Sequence, residues 1–584
     1  MINLSVKNNL WVPKDHLERD VMYVKQKYNI SELTAKIILA RNDNIEQIDG
    51  YLTPTIKSLL PDPFSLKDSE KAIKRIYHAI EKNEKIIVFG DYDVDGATSS
   101  ALIARYFKMI GFYNFEVYIP DRIKEGYGPN STAFKKFAYD GAKVIITVDC
   151  GTLAFEPILE AKKLGVDVIV IDHHLSDSVF PEALAIVNPN RLDEDFPHKN
   201  LAAVGVSFIV MAGLHVTLRQ NNYFTKLNEP NILCLLDLVA LGTVCDVMTI
   251  TGLNRAFVTQ GLKIISKRLN KGIAALCDVA SLDNIANTYH LGFIIGPRIN
   301  AGGRVGRADL GTKLLTSDDY DEAYQMALEL DRYNSERKTI ETIVLEEAIK
   351  QVEQINNNNL PLIFASGEGW HPGVIGIVCS RIKEKTGKPC AVIAFDNEIG
   401  KASARSIAGV DIGAKVVSAK NAGLLLAGGG HAMAAGFTVT KNKLDDLYNF
   451  LAERVSLALK HNPAYNISYY DGEISAMSVN KQLTEYIKYG EPYGNGNNEP
   501  LFKLTKCKVI KTDLLKGGTL RLILVDESLP TNSIKATIFK AVDTGMAERV
   551  INSDKKMSFI GRVCLNNFMM KESVEFYIED IIFE

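Results

Sequence analysis

The chain has 584 residues, which predicts about three to five domains. Its 46% hydrophobic and 23% charged residues are ordinary for a folded protein and exclude a mainly disordered chain. The 67 Lys and Arg nearly balance the 70 Asp and Glu, so any contact with nucleic acid must come from a local basic patch.

The cysteines, the first residues and the apolar runs indicate the cellular compartment. The eight cysteines are scattered without a C-x-x-C pair, which argues against a disulfide framework or a zinc ribbon. The first residues lack the basic and apolar regions of a signal peptide, and no run of about 18 apolar residues would span a membrane. We therefore expect a cytoplasmic protein with reduced thiols.

The first half of the chain begins with an expected mostly helical lead-in over residues 1–60. Apolar runs then follow at 85–89, 115–119, 144–148 and 166–171, and amphipathic helical segments separate them. Continuous β-branched runs that alternate with helices predict a parallel sheet covered on both faces, which is an α/β fold. In such sheets functional residues gather at the carboxyl ends of the strands.

The second half predicts three further parts. A charged helical stretch over 316–358 is expected to connect to a second α/β domain, also with a parallel sheet, over 359–458. Short alternating segments over 465–584 predict a small β-barrel. With the lead-in over 1–60 and a first α/β domain over 61–315, this gives the expected domain organisation.

Acidic and imidazole side chains follow the predicted strands and one apolar helix. Because like charges repel strongly, their convergence on one sheet edge indicates a bound cation. Carboxylate and imidazole ligands suit Mn²⁺ or Mg²⁺, and a pair of such ions supports in-line displacement at phosphorus. The residues are Asp91, Asp93 and Asp95 in GDYDVDG, Asp149, the run Asp172, His173 and His174, and Asp246.

Other interpretations of single motifs are weaker. A D-x-D-x-D-G run also begins a calcium loop, but the Glu expected six residues after the glycine is Leu102 here. Asp149 alone is better explained as a helix N-cap, and the same alternative applies to Asp246 alone. Four separate segments that end in such residues favour one metal centre over four independent caps.

These motifs carry a resemblance to a known family. GDYDVDGATS, VDCG, VIDHH and ALGTVCDV resemble, in order, the motifs of the DHH phosphoesterase superfamily. WHPGVIGIVCSR, KASARSI and GGGHAMAAGF are similar to its companion DHH-associated domain. Together with GPRINAGGR, their order resembles the branch that degrades single-stranded DNA. The resemblance implies DHH and DHH-associated α/β domains joined by a long helix, and a C-terminal barrel similar to an oligonucleotide-binding (OB) fold.

The resemblance also implies roles for the acidic and histidine residues. Two divalent ions, Mn²⁺ or Mg²⁺, would be the cofactors. Asp149 and Asp91 would be catalytic, Asp91 as a ligand or its support, and His174 would face the scissile phosphate or protonate the leaving group. The implied metal ligands are Asp93, Asp95, Asp149, His173 and Asp246.

Basic and aromatic residues in the first domain indicate substrate binding. The segment IPDRIKEGYG places Arg122, Lys124 and Tyr127 where a loop reaches a phosphate and stacks a base. In GPRINAGGRVGR, the residues Arg298, Asn300 and Arg304 lie among glycines, which we expect to let backbone amides approach an anion. For each arginine the alternative is a surface ion pair.

The second domain and the barrel offer further candidates. His371, Ser403, Arg405 and His431 are expected to bind substrate, and the resemblance assigns Arg298, Ser403 and Arg405 to the 5′ end. Trp370 is alternatively a core residue. Four barrel residues are candidates for DNA contact, although each phenylalanine is better explained as core: Arg521, Lys535, Phe539 and Phe568.

The implied function is a metal-dependent 5′→3′ exonuclease that degrades single-stranded DNA to mononucleotides in repair and recombination. Because the chain lacks a G-x-x-x-x-G-K-[ST] motif, a helicase and a single-stranded-DNA-binding protein are expected partners, and a monomer suffices. The alternatives are a small-substrate DHH phosphodiesterase acting on nano-oligonucleotides or cyclic dinucleotides, and a strand-binding subunit without catalysis.

Overall fold

The computed structural model describes residues 3–42, 44–121, 125–126, 128–225, 227–282, 286–354, 360–460, 466–527, 532–553, 556–568 and 571–583. Strands and helices alternate in its first half. In chain order these elements are β1 (Asn9–Pro13), α1 (Glu18–Tyr28), α2 (Glu32–Leu39), α3 (Ile48–Leu52), α4 (Ile56–Leu59), α5 (Ser69–Glu81), β2 (Ile86–Gly90), α6 (Val94–Met109), β3 (Phe115–Tyr118), α7 (Ser131–Tyr139), β4 (Val144–Val148), α8 (Phe155–Lys163), β5 (Asp167–Ile171), β6 (Ala185–Val187), α9 (Ala203–Gln220), α10 (Leu236–Cys245), α11 (Gly252–Ile265) and α12 (Lys271–Val279).

The second half is richer in strands. A π-helical turn, His290–Ile295, leads into its first helix. The elements are α13 (Gly296–Val305), α14 (Leu310–Thr316), α15 (Tyr320–Gln354), β7 (Ile363–Glu368), α16 (Ile375–Thr386), β8 (Cys390–Asp396), β9 (Ile399–Arg405), α17 (Ile412–Asn421), β10 (Ala427–His431), β11 (Ala434–Thr440), α18 (Leu444–Leu459), β12 (Asn466–Tyr470), β13 (Gly472–Ile474), α19 (Lys481–Lys488), β14 (Phe502–Leu514), β15 (Leu520–Asp526), β16 (Ser533–Ile538), α20 (Met546–Ile551), β17 (Met557–Phe568) and β18 (Lys571–Phe583).

A five-stranded parallel sheet in the order β3-β2-β4-β5-β6 organises the first half, and the predicted parallel sheet is confirmed. Successive strand residues enter different cores. Ile86 and Val88 pack with α5, α6 and α9, whereas Ile87 and Phe89 pack with α7 and α8. Both faces are therefore covered, which explains the uninterrupted apolar runs.

The second sheet is mixed, which corrects the prediction of a second parallel sheet. Its order is β10-β11-β9-β8-β7, and only β7 and β8 run parallel. Between β8 and β9 the chain reverses over Asn397 and Glu398, and Asn397 has a φ of 54°. Such a short turn joins only antiparallel strands, and asparagine tolerates its left-handed conformation. The predicted α/β class is nevertheless confirmed.

Helix α15 joins the two α/β units, as the fold class predicted. Its first half contributes Ala327 and Leu330 to the first core, and its second half contributes Val344 and Ala348 to the second. The 35 residues span about 50 Å. One rigid rod therefore sets the distance between the units.

The C-terminal sheet closes into the predicted barrel. Its order is β13-β14-β15-β16-β18-β17, and β14 also pairs with β17. The pairs β13–β14 and β16–β18 are parallel, and the other pairs are antiparallel. Closure of the barrel gives hydrogen-bond partners to the backbone groups that the edge strands of an open sheet would expose.

The lead-in is mostly helical, as predicted, but it also contains one strand. Strand β1 pairs in parallel with β12, far away in the sequence. Buried Asp580 of β18 accepts hydrogen bonds from Ser5 Oγ (2.6 Å) and Trp11 Nε1 (2.8 Å). This strand forms because its partners come from the C-terminal region, and a local pattern cannot indicate such partners.

Among the described residues, α9 is the one helix with the length and apolar composition of a membrane span. In the protein, 78% of its apolar window is buried. It packs between α5 and α6 against the parallel sheet.

Arg255 of α11 is a buried arginine that joins three chain segments. It donates hydrogen bonds to the carbonyls of Tyr51 (2.8 Å), Gly490 (3.2 Å), Glu491 (2.6 Å) and Pro492 (3.2 Å). Its guanidinium also lies 3.9 Å from the centre of the Tyr51 ring. Arg255 therefore attaches the lead-in and the segment before the barrel to the first α/β unit.

Replacing Arg255 should destabilise the whole assembly. The substitution Arg255→Met removes the donor to the Tyr51 and Glu491 carbonyls, whereas the carbonyls of Gly490 and Pro492 still accept from Asn497 Nδ2. It also removes the buried guanidinium that joins the three segments, and we expect the free energy of unfolding to fall by about 3 kcal/mol. Denaturant titration followed by circular dichroism measures this loss. Arg19→Met, at a side chain that is 81% exposed, is the matched control. Equal midpoints for the two variants would contradict the assignment.

Candidate metal centre and substrate cleft

The carboxyl ends of three parallel strands bring the predicted residues together. Asp91 follows β2, Asp149 follows β4, and Asp172, His173 and His174 follow β5. Neighbouring parallel strands end at the same edge, so these residues share one rim of the sheet. The strand pattern therefore predicted their convergence correctly.

Two helices supply the remaining carboxylates. Asp93 caps α6, where its Oδ1 accepts a hydrogen bond from the Gly96 amide at 3.0 Å. Asp95 lies in the first turn of α6 and accepts from the amides of Ala203 (2.7 Å) and Val204 (2.9 Å) at the start of α9. Two helix N-termini thus stabilise negative charge here.

His173 lies at the middle of the cluster. Its Nε2 is 3.3 Å from Asp149 Oδ1, 3.5 Å from Asp246 Oδ2 and 3.8 Å from Asp95 Oδ2. Asp246 directly follows α10, so it lies at the C-terminal end of that helix and not at an N-cap. Residues from α6, β4, β5 and α10 therefore surround one point.

A second group lies beside the first. Potential ligand atoms of Asp91, Asp93 and Asp149 lie within 4.8 Å of one another. Asp149 has a φ of 60°, a conformation that non-glycine residues seldom adopt, and its amide donates to the Ile171 carbonyl at 3.0 Å. Asp149 also belongs to the group around the histidines, so its carboxylate is common to both groups.

The electrostatics of the cluster favour cations. Burial and the nearby Asp93 raise the pKa of Asp95 to about 7. Burial and Asp95 raise the pKa of Asp246 to about 8, and burial together with Asp93 raises that of Asp149 well above its usual range. Each carboxylate makes the others harder to ionise, and a divalent cation among them reverses that cost.

The two histidines have opposite character. Burial and the neighbouring His174 lower the pKa of His173 to about 4, so its neutral ring offers a lone pair to a metal. Burial lowers the pKa of His174 as well, but its 2.7 Å hydrogen bond to Asp172 outweighs burial and raises that pKa to about 9. Adjacent histidines are therefore suited to different tasks.

Asp172 is a supporting residue that the sequence analysis included in the acidic cluster without a specific role. Its Oδ1 accepts from the amides of His173 (2.7 Å) and His174 (3.2 Å), and its Oδ2 accepts from the Thr152 amide (3.1 Å). Burial alone would raise its pKa, but the hydrogen bond with His174 lowers it overall. In the sequence, the feature that could have indicated this role is that Asp172 is the first residue after the β5 strand.

The donor set fits hard divalent ions. Asp246 Oδ2 is buried and accepts no hydrogen bond within the described part of the chain, although His173 lies 3.5 Å away. Oxygen ligands with one or two imidazoles suit Mn²⁺ and Mg²⁺, and among the described residues these groups include no thiolate. The residues present therefore fit a pair of such ions.

A cleft of about 930 Å³ opens from this centre toward the second α/β unit. Asp91, Asp93 and His174 line one side, and Ser403 and Arg405 of β9 line the other. Arg405 donates to Ser403 Oγ at 3.0 Å, which fixes the guanidinium beside the hydroxyl. An acidic wall and a polar, basic wall thus face one volume.

Arg304 connects the two walls. It lines the cleft and donates to the Gly373 carbonyl, before α16, at 2.9 Å. The glycines of GPRINAGGR do not form an anion loop, which corrects that expectation. They lie in α13, where a Cβ on Gly303 would meet the Tyr92 carbonyl at 2.8 Å, so they permit close packing beside the acidic loop.

Other predicted residues lie outside the described lining of the cleft. Arg298 pairs with Asp331 at 2.9 Å, as the ion-pair alternative proposed, and Asn300 is half-buried on the same helix. His371 and His431 accept from the amides of Gly373 and Met433. Arg122, Lys124 and Tyr127 lie outside the described residues, so their placement stays a prediction.

Lys401 is a cleft residue that the sequence analysis missed. It lies on β9 with Ser403 and Arg405 and lines the same volume. Positions 401, 403 and 405 alternate with the buried Ala402 and Ala404, so the three polar side chains share one face. That alternation was visible in KASAR. Trp370, by contrast, is a buried core residue, as its alternative proposed.

The barrel candidates lie mostly on the outside. Arg521 and Lys535 are exposed on neighbouring strands β15 and β16. Phe539 is 56% exposed and contacts the Tyr577 ring edge-on, so the expectation that it is core is wrong. The side chain of Phe568 lies outside the described part of the chain.

Comparisons with known proteins match all three parts of the fold. The family models that match are the DHH family N-terminal domain over residues 85–243, the DHHA1 domain over 359–457 and the RecJ OB domain over 470–580. The resemblance seen in the motifs is therefore confirmed.

Individual relatives match the same parts of the chain as the family models. The single-stranded-DNA-specific exonuclease RecJ of Haemophilus influenzae is 37% identical over 460 residues, which are 77% of this chain and 80% of the relative. The structure of Thermus thermophilus RecJ in complex with Mn²⁺ superposes with a TM-score of 0.81 at 28% identity, covering 98% of this chain and 79% of that one. The corresponding Mg²⁺ complex gives 0.75 at 25% identity, covering 98% and 78%. The chain belongs to the RecJ family of single-stranded-DNA-specific exonucleases.

Proposed function

We propose that this protein is a metal-dependent exonuclease that degrades single-stranded DNA from its 5′ end to mononucleotides, in DNA repair and recombination. One observation carries the proposal: the acidic cluster and the pair of Ser403 and Arg405 face the same cleft from opposite sides. A strand whose terminal phosphate rests on the basic wall presents a phosphodiester to the acidic wall. Family membership supports the same activity.

The cofactors are two divalent ions, Mn²⁺ or Mg²⁺. When bound, they activate a water molecule and stabilise negative charge at the scissile phosphate. Asp91 supports this set or joins it. Asp172 holds the His173 backbone in place, and His174 lines the cleft, where it faces the scissile phosphate or protonates the leaving group. The proposed ligands are Asp93, Asp95, Asp149, His173 and Asp246.

The second wall provides end selection. Arg405 is suited to a bidentate contact with a terminal phosphate, Ser403 to a hydrogen bond, and Lys401 to a further charge contact. Arg304, with Arg298 and Asn300 behind it on α13, is assigned to the phosphates near the 5′ end. His371 and His431 flank this wall and, with Arg122 and Tyr127, complete the proposed substrate set.

The division of labour follows the fold. We assign catalysis to residues 61–315 and end binding to 359–458, with the helix over 316–358 between them. A small-substrate phosphodiesterase would need only these parts, so the barrel over 465–584 favours a long strand as substrate. Arg521, Lys535 and Phe539 on its outer surface, together with Phe568, are the proposed strand contacts.

The proposed setting is cytoplasmic. Because these 584 residues contain no ATP-binding G-x-x-x-x-G-K-[ST] motif, we propose that a helicase opens duplexes and that a single-stranded-DNA-binding protein presents the strand. A monomer suffices, since each described ligand group comes from one chain.

Removing the carboxylate that is common to both groups should abolish activity. Asp149→Ala takes away a group shared by two ligand sets, so we expect loss of at least 1,000-fold in kcat and weaker Mn²⁺ binding by calorimetry. A chelator should stop the wild-type enzyme, and added Mn²⁺ should restore it. Asp140→Asn, at an exposed carboxylate, is the control. Full activity of Asp149→Ala would refute the site.

Changing Arg405 should alter end selection. Arg405→Met removes the planar guanidinium from beside Ser403, so kcat/KM for 5′-phosphorylated strands should fall about 100-fold. Strands with a 5′-hydroxyl should lose much less, because they lack the group being read. Release of a labelled 5′ nucleotide measures both, and Lys415→Met on α17 is the control. Equal losses on both strands would show that Arg405 does not read the terminal phosphate.

A further inference from the structure

An exposed pair of aromatic rings lies at the start of the continuous helix formed by residues 288–305, which consists of the π-helical turn and α13. Tyr289 is 60% exposed and Phe293 is 72% exposed, and their rings stack with centroids 5.2 Å apart and planes 26° apart. Leu291 and Ile295 of the same π-helical turn are buried. The buried residues therefore set the orientation of this helix and keep the two aromatic rings in solvent. Exposing these apolar rings to water is energetically unfavourable.

This pair stands on the element that packs against the metal centre. The Cys245 thiol donates to the Leu291 carbonyl at 3.3 Å, and a Cβ on Gly296 would lie only 2.5 Å from Cys245 Sγ. Cys245 directly precedes Asp246, one of the proposed ligands. The helix over residues 288–305 therefore packs against the C-terminal end of α10, next to the Asp246 carboxylate. Interrupted helices of the π type are frequent at functional sites.

The aromatic pair begins a continuous exposed face. Pro297, Asn300 and Arg304 are partly exposed and follow Phe293 at spacings of four, three and four residues, which places them on one side of the helix. We call these five residues the α13 stripe. Arg304 lines the cleft, and helical rise puts it about 16 Å from Phe293. The stripe thus leads from an aromatic platform outside the cleft to its basic interior.

We propose that Tyr289 and Phe293 form a stacking site for the bases of a DNA strand, a few nucleotides away from the scissile bond. This proposal rests on the proposed exonuclease function. Every base has a flat π-face, so stacking on aromatic rings binds a strand without regard to sequence, as stepwise degradation requires. The partner is a nucleic acid strand and not a protein, because the stripe continues from the rings through Asn300 to a cleft arginine and the acidic centre.

The test compares strand binding by the full-length wild type and by a double variant, Tyr289→Ala with Phe293→Ala. A 5′-phosphorylated oligonucleotide is titrated in EDTA, so that it is not cut, and binding is followed by fluorescence anisotropy. In parallel strands, one base at a time is replaced by an abasic site or by 2-aminopurine. Phe293→Trp is the conservative variant. Tyr113→Ala is the matched control, since Tyr113 is equally exposed at 72% and precedes β3, at the opposite end of the strands from the metal centre.

We expect the double variant to bind the strand about 10- to 100-fold more weakly and Phe293→Trp to bind like the wild type. In the wild type, an abasic site at one or two positions should weaken binding, and 2-aminopurine there should be quenched. Both effects should vanish in the double variant. Affinity equal to that of Tyr113→Ala, or an abasic penalty that persists in the double variant, would overturn the proposal.

Two further outcomes separate this proposal from others. If the double variant changes the oligomeric state in sedimentation without changing strand affinity, the rings form a protein interface and the stacking site is wrong. If the wild type cuts strands but the double variant behaves as the control, only the stacking site fails. If the wild type neither binds nor cuts single-stranded DNA, the proposed function fails and the stacking site fails with it.

Discussion

The mutual repulsion of carboxylates at one sheet edge is the constraint on which the rest of the structure depends. Asp95 and Asp149 are wholly buried, with Asp93 and Asp246 beside them, and burial makes their charge costly. The fold lowers this cost with two helix N-termini and with amide donors to Asp95. What remains is a demand for positive charge, which divalent ions meet. A cluster of this kind is suited to the phosphodiester chemistry proposed above.

A centre of this kind needs a second wall that holds substrate against it. Helix α15 sets the spacing of the two α/β units, since its halves are embedded in different cores. The hydrogen bond from Arg304 to the Gly373 carbonyl fastens the units at the cleft itself. Glycines at 303 and 376 let α13 approach Tyr92 of the acidic loop and let α16 approach Ser403 of β9 closely.

The ends of the chain are fastened by buried polar groups. Asp471 accepts from Arg41 at 2.8 Å and from the Leu501 amide, and Asp580 accepts from Ser5 and Trp11. Together with Arg255, these contacts join the lead-in, the first α/β unit and the barrel. A barrel held in this way keeps a fixed relation to the cleft, which suits an enzyme that passes one strand across several surfaces.

The residue pattern alone was enough to predict the first parallel sheet and the convergence of its acidic residues, because buried parallel strands appear as continuous apolar runs and their ends share one edge. It also indicated the barrel and the long helix. The three-dimensional fold was needed to show that the second sheet is mixed and that β1 pairs with β12. It was also needed to show that Arg298 pairs with Asp331 and that the glycines of α13 permit close packing. Those features depend on partners distant in the chain. The local sequence pattern indicates whether a side chain is buried, but not which distant segment it packs against.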